Sequence, residues 1–132
     1  MKMRYRCSQG HVFDGNEDTK VCPNCGEALQ LDNCGAIQLY RMGNMMGMAV
    51  GMGIYIDDTP YGHIGNTESV RIVLPFGEHK IHVTHSTTRK CNDPVVTLSA
   101  EQPIAYMKCH LAAMGFKIQV DAAKPEEMPK MV

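Results

Sequence analysis

The chain has 132 residues and a formal net charge of -1, with a sequence pI of about 6.6. That length allows one ordinary domain, or a small metal-stapled unit followed by a compact second one. Nothing in this near-neutral balance argues for a phosphate-backbone partner, and no nucleic-acid partner is expected from it. The longest uncharged apolar run, Met45 to Ile56, is twelve residues against the ~20 a membrane helix needs, so no membrane span is expected.

The first residues, Met1 to Cys7, lead into polar sequence without the apolar stretch of an export signal. The expected location is cytoplasmic, where the six cysteines are better read as metal ligands than as disulfides. Three of them, Cys7, Cys22 and Cys25, fall before residue 30, with Gly, Asn, Asp and Pro between them. Residues 1–30 are therefore expected to form one unit, 31–35 a linker, 36–121 a second unit and 122–132 a flexible tail.

Cys7 and His11 are separated by three residues, ten more lead to Cys22, and Cys22-Pro23-Asn24-Cys25-Gly26 follows. Zinc takes four N or S donors in a tetrahedron. A Cys-x-x-Cys-Gly turn offers two thiolates from one tight loop, and its Gly lets backbone amides point at them. Cys7, His11, Cys22 and Cys25 are the expected ligands, with Cys34 in reserve for His11. The competing readings are disulfides or a redox Cys-x-x-Cys, which would normally open a helix. Four protein donors leave no open position, so the one Zn2+ is expected to be structural. Thirty residues are too few for a sufficient core, and the metal would supply the missing folding energy.

After residue 35 the apolar residues alternate. Ile37, Leu39 and Arg41 share one face of a strand. Gly43 to Gly53 is rich in Met and Gly and reads as an apolar connection, a buried strand or, if exposed, a partner or self-association surface. Thioether ligation of a soft metal is a weaker alternative there. Ile54 to Ile56 is a strand stopped by Asp57-Asp58-Thr59-Pro60. Tyr61 to Ile64, Ser69 to Leu74, His79 to Thr84, Val95 to Leu98, Ile104 to Ala112 and Phe116 to Val120 follow as strands. A helix competes over Ala105 to Met114. About seven short strands with frequent turns imply an antiparallel, immunoglobulin-like β-sandwich, and a mainly β chain overall.

In a strand, side chains alternate faces. His79 and His85 then share one face and His82 the other, so the three do not converge on a metal. Cys34, Cys91 and Cys109 are expected to be scattered free thiols. An enzyme or metal carrier would need at least three of His63, His79, His85, Cys91 and His110 in one polar pocket.

Two resemblances add to this reading. Tyr5-Arg6-Cys7, Gly10-His11-Val12-Phe13 and Val21-Cys22-Pro23-Asn24-Cys25-Gly26 resemble the rubredoxin-like knuckles of zinc ribbons, except that Gly10 stands where many ribbons have a second Cys. Ile54-Tyr55-Ile56-Asp57, Tyr61-Gly62-His63-Ile64-Gly65 and Leu74-Pro75-Phe76-Gly77-Glu78-His79 are similar to PEGA-type β-sandwich modules. Such modules serve as binding or spacer units, and the resemblance carries over no functional residues. The expected function is a non-enzymatic zinc-binding protein, an interaction or adaptor module with a protein partner or self-association. Nucleic-acid binding through Lys2, Arg4, Arg6 and Lys20 is the alternative, offset by Asp14, Glu17, Asp18 and Glu27.

Overall fold

The structure, a computed structural model, describes residues 2–42, 51–85, 90–112 and 117–127. Most of the Met/Gly-rich segment, residues 43–50, lies outside the described residues. Among the described residues there are ten strands: β1 (Met3–Arg6), β2 (Val12–Gly15), β3 (Cys34–Arg41), β4 (Met52–Ile56), β5 (Thr59–Ile64), β6 (Ser69–Pro75), β7 (Gly77–His85), β8 (Val95–Leu98), β9 (Ile104–Ala112) and β10 (Lys117–Ala122). One 3-10 turn, Pro125–Glu127, follows β10, and Ala123 N–H donates to Tyr106 O. The stretch Ile104–Ala112 is a strand rather than the competing helix. No helix among the described residues is long and apolar enough to cross a membrane.

The strands form two sheets, of order β10-β9-β3-β6-β1-β2 and β5-β4-β7-β8. Period-two alternation puts Val70, Ile72 and Leu74 of β6, and Ile81 and Val83 of β7, on buried faces. Both sheets contribute to one apolar core, which also takes Ile37, Leu39, Ile54, Met107 and Ile118. Arg41 shares the inner face with Ile37 and Leu39, and is 1% exposed. Its guanidinium Nη1 donates to the Ile64 carbonyl at 3.2 Å.

The expected all-antiparallel arrangement is corrected in the larger sheet. β3 runs parallel to β9, and β1 runs parallel to β6. Alternation reports which face is buried and says nothing of strand direction. Between β3 and β9 the chain crosses to the other sheet and returns twice, the kind of long connection that parallel pairing requires.

Hydrogen bonds also cross the expected boundaries at residues 30 and 35. β1 sits between β6 and β2 in the same sheet as the core strands. β3 begins at Cys34, and Asn33 accepts from Phe76 N–H at 2.8 Å. Arg4 adds a side-chain clamp. Its guanidinium is 6% exposed as a residue, donates to both carboxylate oxygens of Asp14 on β2, and reaches the β5 carbonyls of Tyr61 and His63 at 3.1 and 2.8 Å.

Candidate metal centre

The site is built on two turns. In the first, after β1, Gly10 N–H donates to Cys7 O and Cys7 N–H to His11 O, at 2.9 and 3.0 Å. In the second, Gly26 N–H donates to Cys22 O and Cys22 N–H to Glu27 O, at 2.7 and 2.9 Å. Gly10 and Gly26 have φ of +90° and +73°, a left-handed backbone that glycine adopts without a Cβ penalty. Gly10 makes this turn, and the next residue, His11, brings the donor. A β-bridge between Val21 and Ala28 and the Leu29 N–H bond to Lys20 O close the base of the second turn.

The turns bring Cys7, His11, Cys22 and Cys25 together, one donor atom from each lying within 4.8 Å of the others. Sγ of Cys7 is 3.4 Å from Nδ1 of His11 and 3.9 Å from Sγ of Cys25. Sγ of Cys22 is 3.6 Å from the same Nδ1. Cys7 and Cys22 are buried, His11 is half-buried and Cys25 is exposed. None of the six cysteines is in a disulfide. The four donors can hold a metal ion. Ser8 donates to the Glu27 carboxylate and so links one turn to the other. Beneath them Tyr5 stacks on Phe13 at 5.6 Å and donates its hydroxyl to Asn16 O at 2.6 Å.

The thiols compete for charge. Burial opposes ionisation of Cys7, but the backbone amides of His11 and Gln9 and the thiols of Cys22 and Cys25 overcome it and bring its pKa down to about 7. At Cys25 a backbone amide from Glu27 favours the thiolate. Desolvation and the neighbouring Cys22 and Cys7 outweigh that and raise its pKa. A thiolate thus forms more readily at Cys7 than at Cys25.

Cys34 lies outside this cluster, its thiol directed at the carbonyls of Gln30 and Asp32 at 3.4 and 3.6 Å. It lines a hollow of about 370 Å³ between the turns and β6, shared with Tyr5, Leu29, Tyr61 and Val73.

The histidines of β7 divide as alternation requires. His79 and His85 are buried, and His82 points to the other face, half-buried. His79 is held between the Asp57 carboxylate on Nδ1 and the Pro75 carbonyl on Nε2, at 2.6 and 2.7 Å. Among the described residues no group gathers three of His63, His79, His85, Cys91 and His110. A different group does form: His82, Cys91 and Asp93. Burial raises the Cys91 thiol pKa, and the Asp93 charge adds to this against amides from Asp93 and Val83, so Cys91 is a poor free nucleophile. Spacing does not reveal this trio, because Cys91 and Asp93 reach His82 only where the chain returns along β7. No protein-family model matches the chain, and no curated protein matches its sequence.

Proposed function

We propose that the chain is a non-enzymatic zinc-binding protein. In this reading Cys7, His11, Cys22 and Cys25 hold one structural Zn2+ in a zinc ribbon, carried on an immunoglobulin-like, PEGA-like sandwich that works as an interaction or adaptor module. The observation that carries the zinc assignment is the donor spacing. Bonds of about 2.3 Å to sulfur and about 2.0–2.1 Å to nitrogen, at tetrahedral angles, put two sulfurs about 3.8 Å apart and sulfur and nitrogen about 3.6 Å apart. The separations here are 3.9 Å for Cys7 to Cys25, and 3.4 and 3.6 Å from His11 to Cys7 and Cys22. A disulfide needs about 2.05 Å, far shorter than the 3.9 Å between Cys7 and Cys25.

Four protein donors complete the sphere, so the ion has no position left for water or substrate and serves to fold the turns. That is why we assign it a structural role and the protein a binding one. The surroundings count against the nucleic-acid alternative. Lys2 is paired with Asp14 and Glu68, and Arg4 with Asp14, so two of the four basic residues of that alternative already have acidic partners.

Metal analysis of the purified full chain tests the zinc reading. Cys22→Ala with Cys25→Ala should lose zinc and unfold the turns, and unchanged zinc content would defeat the assignment. Native mass measurement then tests self-association, and a mobility shift with DNA or RNA that weakens with salt would instead favour the nucleic-acid alternative.

A further inference from the structure

Residues 90–94, just before β8, are stitched to both sheets. On one side Cys91 bridges to Ile118, and Lys90 O accepts from Ile118 N–H at 2.8 Å. Asn92 trades two hydrogen bonds with the Val120 backbone, at 2.7 and 2.8 Å. On the other side Pro94 O accepts from Ile81 N–H at 2.9 Å. Asp93, between these anchors, takes a left-handed φ of 49°, uncommon for a residue with a side chain. The result is that Cys91 and Asp93 are delivered to His82 on backbone anchored to both sheets.

The three donors lie within 4.8 Å of one another and are all half-buried. His82 Nδ1 and Asp93 Oδ1 are 2.6 Å apart, with side chains 25% and 39% exposed. A His–Asp hydrogen bond alone accounts for two of these groups. The Cys91 thiol, 3.8 Å from Asn92 Oδ1, comes to the same point. Imidazole, thiolate and carboxylate together are a donor set that zinc and its neighbours in the first transition row accept.

We propose that His82, Cys91 and Asp93 form a second, open metal site for a divalent transition-metal ion of the Zn2+ type. It differs from the Cys/His centre in kind. Three protein donors leave a tetrahedral position free toward solvent, for water or an exogenous ligand. On binding, the ion takes the place of the proton between His82 and Asp93. The ring proton moves to Nε2, and the Cys91 thiol gives its proton to solvent, so one proton is released per ion. The nitrogen–oxygen gap must open from 2.6 Å to about 3.3 Å, the separation of two ligands bound at about 2.0–2.1 Å.

The test is titration of the metal-stripped full chain with Co2+, followed by absorbance and native mass. Wild type should take two equivalents. The two ions are distinguishable, since the Cys/His centre has three sulfurs and gives the stronger sulfur-to-cobalt absorption. Cys91→Ser and His82→Gln, each checked for its β circular dichroism, should take one equivalent and keep the three-sulfur band. Two variants guard against one failing to fold. A single equivalent in wild type with the three-sulfur band intact would overturn this site and leave the structural centre standing. Two equivalents retained in both variants would overturn it as well. Loss of the three-sulfur band from wild type would overturn the zinc-ribbon reading separately.

Discussion

Arg4→Met removes the guanidinium and keeps most of the apolar stem. In the wild-type protein that group makes a two-point contact with Asp14 and donates to the carbonyls of Tyr61 and His63. Breaking a buried pair by removing one partner costs about 3–5 kcal/mol. Here the Asp14 side chain is 41% exposed and rehydrates, and β5 is an edge strand whose carbonyls water can approach. The expected loss is therefore smaller, about 2–4 kcal/mol. For a chain of this size that corresponds to roughly 6–15 °C in Tm. Arg4→Lys should recover only part of it, because one ammonium cannot reproduce the planar fork. Circular dichroism melts of the metal-loaded protein would measure this. Unfolding of Arg4→Met within about 0.5 kcal/mol of wild type would refute the clamp. So would a full rescue by Lys. The same reasoning predicts one cooperative transition, since β1 shares a sheet with the core strands. A chelator should then lower the melting of the whole chain, and an unchanged core transition would show the hairpin to be an appendage.

Other outcomes follow from single contacts. Asp57 has its pKa lowered, with burial opposing and the Lys80 amide and His79 prevailing. Asp14 is lowered in the same way by Arg4 and Lys2 against burial. Because these folded-state values are depressed, their stabilisation is present above the ordinary carboxylate range, near pH 4. It is lost as pH falls through that range and on through the folded values. Urea melts of wild type against Asp57→Asn should converge toward low pH, and a constant gap would count against the contact. Ile72→Ala empties a fully buried place in the core and should cost about 2–5 kcal/mol in urea unfolding. Gly35→Ala would drive a Cβ into the Pro103 carbonyl oxygen at the start of the β3–β9 pairing, and a melt unchanged from wild type would contradict that register. Cys34→Ser should leave metal content unaltered, since its thiol lies apart from the four donors; loss of an ion would reinstate it as a ligand.

The legible parts of this protein are those that depend on neighbours in sequence. Cys7, Cys22 and Cys25 sit on tight turns, and the convergence with His11 follows from two short loops whose chemistry is local. Strand existence was legible for the same reason. Period-two alternation in Val70, Ile72 and Leu74, or Ile81 and Val83, reports burial of one face, and both runs line the core. The left-handed glycines at 10 and 26 are where a turn must reverse within a few residues.

Tertiary structure alone decided the rest. Nothing in the pattern of β3 and β9 says that they pair in parallel, because alternation is the same read in either direction. Nothing local to Met3–Arg6 places it against β6, and Arg4 finds its carbonyls more than fifty residues away. His82, Cys91 and Asp93 meet only because residues 90–94 lie beside β7 and are pinned to Ile118 and Val120. Local spacing determines which donors can share a turn. Which donors share a point in space across strands is set by register and direction, and those come from packing two sheets on one core.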